Sequence, residues 1–243
     1  MALHYKIGGY SFSTYWTVFF LGIVCMIIMN CIRAKKKTLK QYQSVLLTIT
    51  VVLISFLGAK ILYYMEQPKI LLESGIRFGG VSFFGSVFLV PVIMMVICKK
   101  TKLSYHRTMD FLSPSLMLML AILRVGCLIS DCCGGTSVVF AGVYVEKFPT
   151  QITECVFDLL ILAGILIYEK YWQKEGRLYY FIMVYYGIIR FFIEFLRDTP
   201  KDWFYMSHGQ WFSIISVCAG GWMLRKIGRQ ERKKAYKANR KNK

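Results

Sequence analysis

The chain has 243 residues, a net charge of +18, a mean hydropathy of +0.47 and only 18% charged residues. A soluble domain of this length carries roughly a quarter charged residues and is less apolar, so the composition excludes an ordinary soluble protein. The basic residues occur in short runs between apolar segments and not over a folded surface, which argues against nucleic acid as a partner. This pattern is typical of a polytopic membrane protein.

Seven apolar segments predict an all-α fold of about seven transmembrane helices. Each segment is close to the ~20 residues needed to cross a bilayer, although the third and the seventh are short. In chain order they cover residues 13–32, 44–64, a segment that follows the glycines at 75–85 and ends at Cys98, 109–129, 152–168, 178–196 and 210–224. We therefore expect a transmembrane domain over residues 1–224 and a basic tail over residues 225–243.

The basic runs also predict how the helices are oriented. They follow the first, third, fifth and seventh segments, whereas the loops between them carry mixed charge. Because lysine and arginine concentrate in cytoplasmic loops, the N-terminus is expected outside and the C-terminus inside.

The sixth segment carries charges that an apolar helix does not need. Tyr186, Arg190, Glu194 and Arg197 are spaced i, i+4, i+8 and i+11, so they share one helix face. A charge at membrane depth costs at least ~2.5 kcal/mol, so such residues are normally paired, inward-facing and functional. For Arg197, a second interpretation is an interfacial anchor whose side chain reaches the lipid headgroups.

Other polar and small residues gather toward the same outer side. Gly79, Gly80 and Gly85 precede or begin the third segment, where they favour either close approach of a lipid headgroup or tight helix packing. Arg124 lies near the outer end of the fourth segment. Guanidinium groups match phosphate oxygens bidentately, so Arg124 and Arg190 together predict a phosphate clamp.

Three cysteines, Cys127, Cys132 and Cys133, cluster on the predicted outer side. The pattern leaves open a disulfide of Cys127 with either of the others, or simple packing. No metal site is expected, because the cluster has neither a nearby histidine nor a second Cys-x-x-Cys pair.

Seven short motifs follow one another in the order of a known family. They are Tyr15; Gly58-Ala59-Lys60; Gly79-Gly80-Val81-Ser82-Phe83-Phe84-Gly85; Asp110 and Pro114 with Arg124-Val125-Gly126; Pro149-Thr150-Gln151 with Glu154; the segment from Tyr186 to Arg197; and Pro200 and Asp202 with Gly209-Gln210. Over nearly its whole length the chain resembles the prolipoprotein diacylglyceryl transferases. These bacterial inner-membrane enzymes move a diacylglyceryl group from phosphatidylglycerol to a lipobox cysteine.

The resemblance implies a site that faces the outer side of the bacterial cytoplasmic membrane and uses no cofactor. Its expected partners are phosphatidylglycerol and prolipoprotein signal peptides with a lipobox cysteine, and glycerol-1-phosphate is the expected leaving product. The implied catalytic residues are Arg190, Arg124, Glu194 and Tyr186. The implied residues for binding phosphatidylglycerol are Arg124, Arg190, Gly79, Gly80, Ser82, Tyr15 and Gly135.

The chain departs from the family pattern where many members have histidine. Phe84 and Phe148 occupy these positions, and Leu123 replaces the glycine before Arg124. The sequence therefore favours a mechanism without a dedicated histidine base, in which the arginines lower the pKa of the attacking thiol and Glu194 is an ion-pair partner or a base. His208 and His4 are the outward-side histidines. The alternative function is a non-catalytic or retargeted phospholipid-binding homologue that keeps the clamp.

Overall fold

The computed structural model describes residues 4–7, 10–36, 39–75, 80–132, 134–140, 143–172, 176–201 and 204–241. In chain order the elements are β1 His4–Ile7, β2 Tyr10–Ser13, α1 Thr14–Lys36, α2 Gln41–Glu66, α3 Pro68–Ser74, α4 Phe83–Thr101, α5 Tyr105–Ile129, β3 Val138–Phe140, β4 Val143–Val145, α6 Thr150–Trp172, α7 Leu178–Ile193, a 3-10 turn Glu194–Leu196 and α8 His208–Lys241. Most of the described residues are helical, and the four short strands form two antiparallel hairpins, β1–β2 and β3–β4.

Within the described part of the chain, six helices are long and apolar enough to cross a membrane. They are α1, α2, α4, α5, α6, and α7 together with its 3-10 turn. The predicted all-α membrane class is confirmed. The seventh predicted segment, 210–224, forms the first half of α8, which continues as one helix to Lys241. A seventh span and the orientation of the termini remain predictions, as does a division between domain and tail at residue 225.

The bundle is organised around α5, which packs between α1 and α6. Two further helix pairs, α2 with α4 and α7 with α8, lie beside them. The α2–α4 pair crosses where Gly58 meets Gly85, and a Cβ on either residue would overlap the other's carbonyl group. Small residues allow helix backbones to approach this closely, so tight packing explains the glycine at position 85.

Large apolar side chains cover the outer surface of the bundle. Phe20, Leu53, Val92 and Leu160 are each more than half exposed. A soluble monomer rarely exposes so much contiguous apolar surface, whereas a membrane protein presents it to lipid tails.

Short strands and loops, which the apolar pattern did not predict, close one end of the bundle. The β3–β4 hairpin lies between α5 and α6 and is followed by an extended segment that leads into α6. Gly135 pairs with Arg197 in an antiparallel bridge, and Thr136 N–H donates to the Leu196 carbonyl at 2.9 Å. This bridge fixes the end of α7 against the α5–α6 connection.

Ion pairs and a helix cap hold the opposite end together. Asp110 of α5 accepts hydrogen bonds from the backbone N–H groups of Gly176 and Leu178 and so caps the start of α7. Arg33 of α1 forms a bidentate pair with Glu169 of α6, with the shorter contact at 2.5 Å. These contacts join α1, α5, α6 and α7, and thereby set the relative rotation of the helices that carry the arginines.

Candidate functional site

Glu154 lies at the centre of a buried group of charges. It is in the second turn of α6, is only 3% exposed and contacts three arginines. Its carboxylate lies 2.6 Å from Arg124 Nε, accepts a hydrogen bond from Arg190 Nη1 and lies 3.3 Å from Arg197 Nη1. We call Glu154 and these three arginines the arginine cluster.

The structure brings the two predicted clamp residues together. Arg124 reaches Glu154 from α5 and Arg190 reaches it from α7, so the two guanidinium groups lie against the same carboxylate. The predicted pairing of Arg190 with Glu194 is also present, with Nη2 and Oε2 2.8 Å apart. Buried arginines are costly unless paired; Arg124 is paired with Glu154, and Arg190 with both Glu154 and Glu194.

Arg197 belongs to the same cluster, so its interpretation as an interfacial anchor is wrong. The residue is 8% exposed and contacts Glu154. The chain forms a 3-10 turn after Ile193 and then the bridge to Gly135. These two features direct Arg197 toward the start of α6, where Glu154 lies, instead of outward to the headgroups.

Tyr186 connects the arginine cluster to the start of α4. Its hydroxyl accepts a hydrogen bond from Arg124 Nη2 at 3.1 Å. Its ring packs against Phe83 and Phe84, with centroid separations of 4.9 and 6.2 Å. The predicted site residue Tyr186 therefore contacts one clamp arginine directly and lies next to the family's histidine position.

That histidine position is filled by an apolar ring in an aromatic group. Phe84 is 4% exposed and contacts Phe88 and Phe212 at centroid separations of 6.1 and 5.7 Å. A phenyl ring exchanges no proton, so position 84 contributes packing and not acid–base chemistry.

Glu194 is held from three directions. Besides its pair with Arg190, its Oε1 accepts a hydrogen bond from Thr199 Oγ1 at 3.0 Å. The first turn of α8 also faces it, because a Cβ on Gly209 would lie 2.9 Å from the carboxyl carbon. Ser207 and Gln210 form a reciprocal capping box there, and the positive end of the helix dipole favours the carboxylate charge.

The glycine-rich loop contacts the last turns of α2. Gly80 has φ +70°, and its carbonyl accepts a hydrogen bond from Lys60 Nζ at 3.0 Å. Ser82 Oγ donates to Glu66 Oε1 at 3.0 Å. The predicted residue Gly79 lies outside the described residues. The loop leads directly into Phe83 and Phe84 at the start of α4, and these two rings contact Tyr186 of the site.

Tyr15 and Gly135 lie at the edges of the site. Tyr15, in the first turn of α1, packs against Gly126 of α5, two residues from Arg124. Gly135 has no room for a side chain, because a Cβ would lie 2.5 Å from the Leu196 carbonyl oxygen. The glycine at this position is therefore explained by the bridge that positions Arg197.

A polar surface groove of about 660 Å³ opens beside this bridge. It is lined by Gly134, Gly135, Glu146, Lys147 and Asp198. Lys147 Nζ donates to Asp131 Oδ1 at 2.6 Å, and this contact holds the pKa of the exposed Asp131 carboxyl below its usual value. The groove gives polar groups access to the end of the bundle at which the cluster lies.

The structure describes two of the three predicted cysteines. Cys127 and Cys132 form no disulfide with each other, and Cys132 Sγ donates to the Cys127 carbonyl oxygen at 3.6 Å. Cys133 lies outside the described residues. Cys127 is buried, so packing is the role that the structure supports for it.

Sequence reasoning did not include the acids of α6 among the site residues. Glu154 appeared only as part of a motif, and Asp158 was not considered. Asp158 is 2% exposed, lies one turn after Glu154, and its Oδ2 has no hydrogen-bond partner among the described residues. Two acids spaced i, i+4 in an apolar segment are as costly as buried arginines, and this signal could have identified them.

Comparison with known proteins identifies the family of this chain. A sequence model of the family described as prolipoprotein diacylglyceryl transferase matches residues 2–225. The chain is 26% identical over 235 residues to the phosphatidylglycerol–prolipoprotein diacylglyceryl transferase of Clostridium tetani, which covers 89% of this chain and 93% of that protein.

Two further curated relatives align over similar lengths. Phosphatidylglycerol–prolipoprotein diacylglyceryl transferase 2 of Clostridium perfringens is 27% identical, over 94% of this chain and 96% of its own. The phosphatidylglycerol–prolipoprotein diacylglyceryl transferase of Finegoldia magna is 26% identical, over 89% and 91%. Since the family match spans most of the chain, this protein belongs to the prolipoprotein diacylglyceryl transferase family.

Proposed function

We propose that this protein transfers the diacylglyceryl group of phosphatidylglycerol to the lipobox cysteine of prolipoproteins and releases glycerol-1-phosphate. The observation that carries the proposal is the convergence of Arg124 and Arg190 on one buried carboxylate. The names of the relatives supply the two substrates. We place the reaction in the bacterial cytoplasmic membrane, with the site toward the outer face and the transferase domain over residues 1–224.

The proposed reaction is a displacement at carbon. The cysteine sulfur attacks the glycerol carbon bonded to the phosphate, the carbon–oxygen bond breaks, and its electron pair stays on the phosphate oxygen. Negative charge therefore grows on the phosphate. Fixed cations act strongly where charge develops in a water-poor site, and Arg124 and Arg190 fit this role.

The cluster can accommodate an added anion. Each guanidinium has five N–H donors, and the contacts of Arg124 and Arg190 engage two of the three nitrogens in each. Three arginines are paired with two carboxylates, Glu154 and Glu194, so these ion pairs leave one positive charge unmatched. A phosphodiester carries one negative charge and balances it.

The remaining chemical demand is ionisation of the attacking thiol, whose ordinary pKa is about 8.5. The same arginines lower that pKa electrostatically. We assign Tyr186 to holding Arg124, and Glu194 to holding Arg190. Contacts to the headgroup and glycerol are proposed for Tyr15, Gly79, Gly80, Ser82 and Gly135.

Complementation separates this enzyme from a phospholipid-binding homologue that has lost catalysis. A bacterium depleted of its own transferase is supplied with the wild-type gene, and growth and the processing of a tagged prolipoprotein are followed. We expect growth and a lipid-modified product. Normal membrane expression without either would favour the binding homologue, for which Phe84 and Phe148 at the histidine positions are the supporting observation.

A further inference from the structure

We infer that His208 accepts the proton of the attacking thiol in this chain, which has Phe84 where many family members have a histidine. The inference rests on the proposed transfer reaction. His208 is the first residue of α8 and is half-buried. Three sets of contacts, made by residues next to His208 or one turn from it, place it near the aromatic group around Phe84 and near the Arg190–Glu194 pair.

The first contact runs through α8. Phe84 packs against Phe212 at a centroid separation of 5.7 Å. His208 precedes Phe212 by four residues, so it lies on the same face of α8, one turn and about 6 Å toward the helix start. His208 therefore lies one helical turn from Phe212, the residue that packs against Phe84, where many family members have a histidine.

The second contact runs through the loop before α4. Ser82, two residues before Phe84, donates to Glu66 of α2 at 3.0 Å. Glu66 in turn interacts electrostatically with His208. A carboxylate that faces an imidazole orients the ring and stabilises the imidazolium formed when the ring takes a proton.

The third contact is with the clamp. Gly209 follows His208, and its backbone lies against the Glu194 carboxylate, which pairs with Arg190. The charged groups described around His208 are therefore Glu66 of α2, Glu194 of the 3-10 turn and, behind it, Arg190 of α7. His106, by contrast, lies beside Gly176 at the opposite end of the bundle.

The proton balance of the step is complete. The thiol proton passes to the unprotonated imidazole nitrogen as the sulfur–carbon bond forms and the carbon–oxygen bond breaks. The leaving phosphate oxygen keeps the electron pair. The imidazolium then returns its proton to the released glycerol phosphate or to water, which restores neutral His208. Imidazole is suited to this exchange because a ring nitrogen can accept a proton and later donate it.

The test uses the full-length purified protein, phosphatidylglycerol in detergent and a lipobox peptide, with initial rates measured from pH 5 to 9. We expect His208→Gln to lower kcat about 10²- to 10⁴-fold at pH 7. Its residual rate should rise with pH, because solvent then generates the thiolate. His106→Gln is the matched control and should keep the wild-type rate and profile.

A second variant tests whether a histidine at position 84 can replace His208 as the acceptor of the thiol proton. Adding Phe84→His to His208→Gln should restore part of the lost rate and the wild-type shape of the pH profile. The inference is overturned if His208→Gln keeps the wild-type rate and profile, if His4→Gln shows the loss instead, or if the double variant is no faster than His208→Gln. An inactive wild type would overturn the proposed function, and the inference with it.

Discussion

At the scale of single residues, Glu154 is the most consequential side chain. It pairs with three arginines from three different segments, and two of them, Arg124 and Arg190, form the proposed phosphate clamp. Without its charge, the ion pairs described for the cluster would be reduced to that of Arg190 with Glu194. Breaking a buried pair by removing one partner leaves an uncompensated charge, which costs more than the pair contributes.

Glu154→Gln should therefore destabilise the protein as well as stop transfer. We expect the free energy of unfolding to fall by about 3–5 kcal/mol, measured as a lowered Tm in detergent. Glu146→Gln, on the exposed surface, is the control and should leave Tm unchanged. An unchanged Tm for Glu154→Gln would show that the cluster does not carry the charges assigned to it.

Tyr186 offers a test of positioning with a neighbouring control. Tyr186→Phe keeps the ring against Phe83 but removes the hydroxyl that accepts from Arg124. A hydrogen bond to a charged group is worth about 1.5–3 kcal/mol, so kcat/KM should fall about 10- to 150-fold. Tyr185→Phe, at an exposed position, should change neither kcat nor KM. Equal rates for the two variants would contradict the role given to Tyr186.

At the scale of elements, the start of α8 acts as a support for the clamp. The capping box of Ser207 and Gln210 fixes the first turn, and Gly209 lets that turn approach Glu194. Glu194 then holds Arg190. The start of α8 thus supports Glu194 of the 3-10 turn, and Glu194 supports Arg190 of α7.

Gly209→Ala should therefore reduce activity through Arg190. The added methyl would overlap the Glu194 carboxylate, with an overpacking cost of about 1–3 kcal/mol and a shift of the ion pair. Gly221→Ala has open space in the same helix and should raise stability by up to about 1 kcal/mol. Transfer rates and Tm measured for both variants check this, and full activity in Gly209→Ala would refute the support assigned to α8.

The helices were predictable because their apolar runs have the length that a bilayer requires. The site was predictable in part, because Arg124, Arg190 and Glu194 are polar where a helix should be apolar. The convergence on Glu154 depends on how α6 rotates against α5 and α7, which hydropathy does not specify. The β3–β4 hairpin and the bridge of Gly135 to Arg197 are non-local pairings of short segments, so the pattern did not indicate them.

At the scale of the whole molecule, the protein is a multi-pass membrane enzyme with a charged site at one end of the bundle. The cluster lies where α5 and α7 end and α6 begins. Under the predicted orientation this end faces outward, because the basic runs after the odd-numbered segments face the cytoplasm.

Fusions at the C-terminus test this orientation. A fluorescent protein that matures only in the cytoplasm should be bright after Lys243, whereas alkaline phosphatase at the same position should be inactive. The same pair of reporters placed in the loop before α6 should give the opposite result. Active phosphatase at the C-terminus would mean that α8 does not cross the membrane in the predicted direction. A bright fluorescent protein in the loop before α6 would place the cluster on the cytoplasmic side.

The central claim is that Arg124 and Arg190 drive transfer by stabilising the departing phosphate. Its most direct test is mass spectrometry of a lipobox peptide incubated with phosphatidylglycerol and purified wild-type, Arg124→Ala, Arg190→Ala or Phe84→Leu protein. We predict a diacylglyceryl mass increase on the cysteine with the wild type and Phe84→Leu, and none with either arginine variant. Transfer at the wild-type rate by both arginine variants would contradict the account.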